Sequence, residues 1–258
     1  MTMKRFFIHE RPGNHYTLTG QEHSHLADVL RLRVHDKVIL VCGDEYDHVY
    51  QIENITRDRT DLSFVSRSKN TMNPESSLTV YVGLIRLENI SLIVTKLNEI
   101  GASEITPFIA ANSNVPANAV NINKLNMIAA QGSKQCGRSI PLKINPVISF
   151  DQMIDEVSRF PVAFYADRGE TKKRVDGSTS TAKRVALIIG PEGGFNLCEN
   201  AEIVKAATPI TLGKRTLRSE TAAIVASTIV LYFMGEIGKT QSAIAPEKLK
   251  MPSSKLRK

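Results

Sequence analysis

The spacing of hydrophobic and polar positions changes near residue 70 and divides the chain into two parts. Before that point, short apolar runs with partial two-residue alternation predict strands, including residues 5–8, 37–42, 46–55 and 60–66. One helix is expected among them, because Thr19-Gly20-Gln21-Glu22 has the form of a capping box ahead of an apolar run. The first part is therefore predicted to be a small β-rich unit.

After residue 77 the pattern alternates between short β-branched runs and longer segments with helical spacing. The runs predict strands at residues 78–85, 104–109, 161–166, 185–189 and 209–212. The longer segments predict helices at residues 89–100, 122–135, 150–158, 197–207 and 219–237. Such alternation predicts an α/β fold with a mostly parallel sheet covered by helices on both faces.

The two parts are separated by a polar segment, residues 68–77, which contains Pro74 and lacks apolar periodicity. We therefore expect one domain at residues 1–70 and a second at residues 71–238. Residues 239–258 carry many basic side chains against one acid, Glu247, and are expected to form a basic flexible tail.

Two glycine-bearing loops follow predicted strands near the C-terminal end of the chain. Gly190-Pro191-Glu192-Gly193-Gly194 ends one strand, and a segment from Leu212 to Ala222 follows the next. Open α/β sheets bind ligands where strands end, and glycine permits close approach of the backbone to a ligand. Neither loop has the dinucleotide pattern or the P-loop pattern, which disfavours both of those ligand classes. A structural turn is the alternative interpretation of the first loop.

Composition and charge narrow the function further. The chain has 258 residues, a net charge of +7 and a pI near 9.3, which favours a polyanionic partner, although mildly basic surfaces are also common. The three cysteines, Cys42, Cys136 and Cys198, form no CxxC pair, so neither a zinc ribbon nor a disulfide framework is expected. We expect a cytoplasmic protein without a signal peptide, because the N-terminus lacks an apolar core.

Histidine and apolar patterns bear on metal and membrane binding. All six histidines lie at or before His48, so the second domain has none to use as a general base. His23 and His25 are two residues apart and would face different sides of a helix, which argues against a metal site there. The longest apolar region, residues 222–234, is too short to span a membrane. We expect neither a metal nor a membrane partner.

Several segments carry a family resemblance that covers nearly the whole chain. They are Arg5-Phe6-Phe7, residues 25–36, residues 96–107, Gln135-Cys136-Gly137-Arg138 with Pro141, residues 189–195, Leu212-Gly213 and Leu217-Arg218-Ser219-Glu220-Thr221-Ala222. With them the sequence resembles the RsmE family of ribosomal RNA methyltransferases, members of the SPOUT class. The resemblance implies a trefoil-knotted, mostly parallel sheet with helices on both faces and an N-terminal PUA-like β-barrel domain that binds RNA.

The resemblance also implies an activity. It is methyl transfer from S-adenosyl-L-methionine to ring nitrogen 3 of a uridine in 16S ribosomal RNA, free or in the small ribosomal subunit, by a homodimer. A methyl donor with a cationic sulfonium is favoured by a nearby carboxylate. Transfer to a nitrogen further needs in-line positioning and removal of the N–H proton.

Site residues follow from matching these segments to the family. The resemblance implies cofactor binding by Ile189, Gly190, Pro191, Glu192, Gly193, Gly194, Leu212, Gly213, Leu217, Arg218, Ser219, Thr221 and Ala222. Glu192 and Glu220 are the candidate bases, and Arg218 and Arg138 are the candidates for holding phosphate or stabilising charge on uracil. For each of these four, a loop-fixing contact is the alternative. Arg5, Arg31 and Arg33 are the candidate RNA-binding residues.

Three positions depart from the family's pattern, and two other functions stay open. The departures are Arg86-Leu87-Glu88, Asn112-Ser113-Asn114 and Lys134, which would lie near the RNA or the dimer contact. The first alternative function is another SPOUT RNA methyltransferase that acts on ribose. The second is a non-catalytic RNA-binding factor in ribosome assembly.

Overall fold

The computed structural model describes residues 3–169, 175 and 181–238, and it contains two sheets. The predicted basic tail and most of the charged loop before residue 181 lie outside the described residues. One sheet has five strands and precedes residue 70, and the other has seven strands and follows it.

The five-stranded sheet is built from the predicted β-rich part. Its strands are β1 (Lys4–Phe7), β2 (His15–Thr19), β3 (Lys37–Val41), β4 (Tyr46–Ile55) and β5 (Arg59–Lys69). The spatial order is β1-β3-β4-β5-β2, with β1 parallel to β3 and the other pairs antiparallel. Phe6, Leu40, Tyr50 and Ile52 are fully buried in one apolar cluster beneath it. The apolar alternation therefore identified the core face of this sheet correctly.

The predicted capping box at Thr19 is wrong. Thr19 is the last residue of β2, where it pairs with Arg59, and its side chain makes no capping hydrogen bond. The helix itself begins where the pattern predicted, because α1 (Gly20–Ser24) follows Thr19 in the N-cap position, and a π-helical turn (His25–Val29) continues it. Gly20, the first helical residue, has a φ of +59°. Only the capping hydrogen bonds are missing, since Thr19 is also the last paired residue of β2.

The seven-stranded sheet is parallel at every pairing among the described residues, as predicted. Its strands are β6 (Ser77–Gly83), β7 (Glu104–Ile109), β8 (Lys143–Ile144), β9 (Ile148–Ser149), β10 (Val162–Ala166), β11 (Arg184–Ile189) and β12 (Thr208–Ile210). The order is β12-β10-β11-β6-β7-β8, with β9 also pairing with β7. The two-residue strands β8 and β9 were not predicted, because two residues carry no recognisable period.

Five longer helices accompany this sheet and cover both of its faces. They are α2 (Leu87–Ile100), α3 (Ile122–Cys136), α4 (Phe150–Val157), α5 (Leu197–Ala206) and α6 (Ser219–Met234), and a short 3-10 helix (Ala117–Ala119) precedes α3. On one face, Val80 and Leu187 pack in a cluster with α2, α3 and α6. On the other face, Tyr81 and Ile188 pack in a cluster with α4 and α5. The predicted three-layer arrangement is confirmed.

Helices in this domain begin and end at residues that favour those positions. Ser149 and Asn196 each form a complete capping box, and Gly101 ends α2 with a φ of +99°. Gly132 interrupts the helical pattern of α3 for a packing reason. A Cβ at this position would lie 2.9 Å from the Nδ2 of Asn98, so glycine allows α3 to approach α2 closely.

Polar contacts join the two domains. Lys134 on α3 forms a 2.6 Å ion pair with Glu22 on α1. The hydroxyl of Ser139 donates to the backbone carbonyl of Asp44 at 2.9 Å, and the Asn70 amide donates to the carbonyl of Gly137 at 2.9 Å. These contacts fix the β3–β4 turn and the end of β5 against the segment that follows α3.

Within the described ranges, no helix is both long and apolar enough to cross a membrane. The longest of them, α6, has 16 residues, whereas a span needs about 20.

Candidate functional site

A cavity of about 530 Å³ lies where β6, β10 and β11 end and where α2 and α6 begin; we refer to it as the strand-end cavity. This is the edge at which open parallel sheets place their ligands. Its lining comprises Arg86, Glu88, Asn89, Tyr165, Ala166, Asp167, Arg168, Ile189, Gly190, Pro191, Glu192, Gly194, Phe195, Asn200, Thr216, Leu217, Arg218, Ser219, Glu220 and Ala222. The cavity therefore combines both predicted glycine loops in one site.

The first wall is the loop that follows β11. The backbone N–H of Gly194, at a φ of +69°, donates to the carbonyl of Pro191 at 2.9 Å and closes a tight turn. The backbone at Gly83 passes so close that a Cβ there would lie 2.6 Å from the Cδ of Pro191. A Cβ at Gly190 would lie 3.0 Å from the ring of Phe195. Glycine is thus required at Gly83, and a side chain at Gly190 would have to displace the Phe195 ring slightly.

The second wall is the start of α6. Arg218 is the N-cap residue and is exposed, while Ser219 and Glu220 in the first turn are each 8% exposed. The Oε2 atom of Glu220 is buried and has no hydrogen-bond partner among the described residues. A helix N-terminus favours a carboxylate electrostatically, but an unpaired buried oxygen is costly. This wall therefore presents a carboxylate that lacks one partner.

A third wall contains residues that the sequence did not predict as part of the ligand site. Arg86, Glu88 and Asn89 extend from the start of α2, and the Asn89 amide lies 3.5 Å from a carboxylate oxygen of Glu192. The end of β10 contributes residues from Tyr165 to Arg168. Both segments follow the ends of parallel strands, which was the signal that could have identified them. They carry no glycine motif, so their sequences alone do not predict a ligand loop.

Several predicted site residues lie outside the cavity lining. Gly193 faces Asn112, whose side-chain amide donates to the carbonyls of Gly193 and Gly194 at 3.2 and 3.1 Å. Leu212 packs against the larger apolar cluster, and Gly213 and Thr221 are absent from the lining. The role of these residues in cofactor binding stays a prediction.

Arg138, a candidate for contact with the uracil or phosphate, lies in the body of the second domain. Its guanidinium is 3% exposed and donates to the carbonyls of Asn98, Ala102 and Ile140 at 2.8–3.0 Å. Burial lowers the pKa of this guanidinium below its ordinary value. In this chain the group fastens the end of α3 to the end of α2, which is the loop-fixing alternative.

The three candidate RNA-binding arginines have different surroundings. Arg5 forms two hydrogen bonds with the carboxylate of Asp47, at 2.6 and 2.8 Å, and its side chain is 13% exposed. Arg31 and Arg33 are exposed on the segment after the π-helical turn, and Arg31 has a φ of +53°. Arg31 and Arg33 are therefore available to phosphate, whereas Arg5 is engaged within the protein.

The structure also shows where the three segments that depart from the family's pattern lie. Arg86 and Glu88 line the strand-end cavity, Asn112 supports its first wall, and Lys134 forms the ion pair with Glu22 between the domains. Two of the three departures thus have a structural partner in this chain, and the first lines the cavity.

Comparison with known families identifies both domains. Residues 72–231 match the model of an RNA methyltransferase domain, and residues 18–65 match the model of an RNA methyltransferase PUA domain. The first match covers the parallel sheet and both glycine loops, and the second covers most of the five-stranded sheet.

Curated relatives match over nearly their full length. A protein of Mesomycoplasma hyopneumoniae named ribosomal RNA small subunit methyltransferase E is 29% identical over 226 residues, or 86% of this chain and 96% of the relative. A Bacillus subtilis protein of the same name is 25% identical over 251 residues, or 89% and 96%. These matches confirm the resemblance found from the motifs.

Solved structures share the fold. A ribosomal RNA small subunit methyltransferase E from Neisseria gonorrhoeae, bound to S-adenosyl methionine, has a TM-score of 0.78 at 21% identity and covers 90% of this chain and 98% of that one. A putative methyltransferase from Legionella pneumophila, in complex with the same cofactor, has a TM-score of 0.77 at 22% identity with the same coverage. The arrangement of both domains is therefore found in solved proteins.

Proposed function

This chain belongs to the RNA methyltransferase family, and from that membership we propose that it transfers the methyl group of S-adenosyl-L-methionine to ring nitrogen 3 of a uridine in 16S ribosomal RNA. The named relatives support the small-subunit target, because they are called small subunit methyltransferases. The PUA domain supports RNA as the substrate. As the resemblance implies, the enzyme is proposed to act as a homodimer.

The observation that carries the proposal is the carboxylate of Glu220 in the strand-end cavity. Glu220 lines the strand-end cavity of about 530 Å³, a usual size for a small-molecule site, and one of its oxygens is buried with no hydrogen-bond partner among the described residues. A buried polar atom without a partner is costly, so a ligand that supplies a cation or a donor is favoured there. A methyl donor with a sulfonium charge and a uracil N–H both meet that requirement.

The two loops suit the nucleoside part of the donor. Backbone groups around Gly190 and Leu217 line the cavity, and they can hydrogen-bond an adenine edge without charged side chains. Ile189 and Ala222 add apolar surface for a base. S-adenosyl-L-methionine supplies an electrophilic methyl group on a cationic sulfur.

The remaining chemistry is positioning and loss of one proton. Uridine nitrogen 3 must give up its proton as the methyl group arrives, and a positioned base contributes roughly 100-fold or more to such a step. With no histidine after His48, carboxylates are the available bases, and Glu220 and Glu192 both line the cavity. Glu220 is the better candidate because it is buried, whereas Glu192 is exposed. Arg218 and Arg86, both exposed at the rim, can hold a phosphate or stabilise charge on the uracil oxygens.

The test compares Glu220→Gln with the unaltered enzyme. We expect methyl transfer to 16S ribosomal RNA, assayed on both free RNA and isolated small subunits, to fall about 100-fold or more. The matched control is Glu202→Gln, because Glu202 lies on α5, is absent from the cavity lining and forms an exposed ion pair with Lys205. The control variant should keep full activity.

Three outcomes would contradict the proposal. Mass analysis of the digested RNA could place the methyl group on ribose, which would favour a ribose methyltransferase. Calorimetry could detect no binding of S-adenosyl-L-methionine, which would favour a non-catalytic RNA-binding factor. Full activity of Glu220→Gln would remove Glu220 from the chemistry.

A further inference from the structure

We propose that the turn between β3 and β4 binds one zinc ion through the Sγ of Cys42, the carboxylate of Asp44 and the Nε2 of His48. This three-residue cluster belongs to the PUA domain and lies outside the strand-end cavity. Its role would be to hold the turn that contacts the second domain.

The distances between the donor atoms fit a single ion. All three atoms lie within 4.8 Å of one another, with Sγ to Nε2 at 3.8 Å and Nε2 to the nearer Asp44 oxygen at 3.0 Å. Tetrahedral zinc with typical bond lengths would separate sulfur and nitrogen by about 3.6 Å, and nitrogen and oxygen by about 3.3 Å. Shifts of about 0.2 to 0.3 Å would bring these two distances to the zinc values. The sulfur and the Asp44 oxygen lie within 4.8 Å of each other and would have to approach to about 3.5 Å, which rotation of the half-exposed Asp44 side chain can supply.

The strand pairing explains why these donors converge. Leu40 pairs with His48 across the antiparallel ladder, and Cys42 lies two residues beyond Leu40 on the same face. Gly43, at a φ of +79°, turns the chain back, and the Asp44 carboxylate accepts from the backbone N–H of Tyr46 at 3.1 Å. The three donors therefore meet at the tip of one hairpin.

The surroundings hold two ligands in place and leave the third side open. His48 is 3% exposed, and Cys42 packs against the apolar cluster of the five-stranded sheet. The side chain of Asp44 is 31% exposed, so water can reach the fourth position. Three protein ligands with one open position is an established coordination pattern for zinc.

The donor set selects the kind of metal. Thiolate and imidazole favour zinc among the abundant divalent ions, whereas magnesium and calcium favour oxygen ligands. This cluster was not predicted from the sequence, because the Cys-x-Asp-x-x-x-His spacing is neither a CxxC pair nor a pair of neighbouring histidines.

The site would couple metal binding to the domain junction. The backbone carbonyl of Asp44 accepts the hydrogen bond from Ser139, and three residues later Asp47 binds Arg5 and the Asn70 amide. An ion that fixes Asp44 would therefore stabilise the turn on which the second domain rests. We expect added zinc to raise the Tm of the full chain.

The first experiment titrates the metal-free full-length protein with cobalt, whose bond to a thiolate has a characteristic absorption. We expect one ion per chain, displaced by zinc, and loss of the absorption in both Cys42→Ser and His48→Asn. Cys198→Ser is the matched control, because Cys198 is exposed on α5, and it should bind normally. Normal binding by His48→Asn, or loss of binding in the control, would overturn the proposal.

The second experiment uses the unaltered chain, so misfolding of a variant does not affect it. Zinc should slow alkylation of Cys42 at least about tenfold, read out by peptide mass analysis, because a bound thiolate is protected. Cys198 is the internal reference and should react at the same rate with and without zinc. Equal rates at Cys42 with and without zinc would reject the site.

Discussion

At the scale of single residues, three glutamates near the strand-end cavity differ in burial and in hydrogen bonding. Glu199 is buried but satisfied, because its two oxygens accept from the backbone N–H groups of Ala111 and Asn196 at 2.7 and 3.0 Å. Glu192 is exposed. Glu220 alone among the three is buried with an oxygen that has no partner among the described residues. Burial and hydrogen bonding, which the residue type does not reveal, thus make Glu220 the candidate base in our proposal.

Gly83 offers a residue-scale test of the first wall. In Gly83→Ala the new Cβ would lie 2.6 Å from the Cδ and 2.7 Å from the backbone nitrogen of Pro191, so the loop must shift. Because misplacement by about 1 Å can cost roughly 100-fold in rate, we expect methyl transfer to fall by about that factor, with weaker binding of S-adenosyl-L-methionine. Gly13→Ala is the control, since its nearest neighbour would be 3.9 Å away. Unchanged rate and affinity in Gly83→Ala would show that the loop adapts.

At the scale of elements, the site is made by where strands end rather than by any one motif. The loop after β11 and the start of α6 carry glycine or polar motifs, and the sequence identified both as ligand loops. The segments after β6 and β10 reach the same edge, because all four strands of the sheet core run parallel. Parallel pairing therefore brings together segments that lie as far apart in the chain as Arg86 and Ala222.

Helix capping gives an element-scale prediction about stability. Ser149→Ala removes the hydroxyl that accepts from the backbone N–H of Gln152 at 3.2 Å and should lower the free energy of unfolding by about 1 kcal/mol. Thr19→Val is the comparison, because Thr19 fits the same sequence pattern but makes no capping hydrogen bond. We expect Thr19→Val to change stability much less. Denaturant unfolding of both variants measures this, and an equal loss would restore the capping role of Thr19.

At the scale of the whole molecule, the contacts between the two domains determine the position from which RNA could reach the strand-end cavity. The Lys134–Glu22 ion pair and the Ser139–Asp44 hydrogen bond connect the PUA domain to the segment around α3. A joined pair of domains can present the exposed Arg31 and Arg33 in a fixed position relative to the second domain. The trefoil knot that the resemblance implies stays a prediction, as does the homodimer.

The candidate RNA-binding arginines give a prediction at this scale. Arg31→Ala and Arg33→Ala should each weaken RNA binding and reduce the slope of log affinity against log salt by about one, with an unchanged Tm. Arg5→Ala should instead lower the Tm, because it leaves the partly buried Asp47 without its arginine partner. Thermal unfolding and RNA titrations at several salt concentrations separate the two effects. An Arg5→Ala variant that unfolds normally but binds RNA weakly would reverse the assignment.

The sequence by itself determined the types and most bounds of the longer elements, the α/β class, both glycine loops and the family. These features can be recognised from neighbouring residues. The period of the apolar residues shows which side of an element faces the core, and each motif is one continuous stretch of chain. Strands too short to show a period, such as β8 and β9, were missed for the same reason.

Only the tertiary structure decided which side chains meet. It placed Arg86 and Tyr165 in the cavity lining. Arg138 donates to three backbone carbonyls, and Arg5 binds Asp47. One oxygen of Glu220 has no partner among the described residues. The tertiary structure also brought Cys42, Asp44 and His48 together at one hairpin tip. Such contacts depend on strand order, register and burial. These properties depend on interactions between residues that lie far apart in the chain, so no short stretch of sequence predicts them.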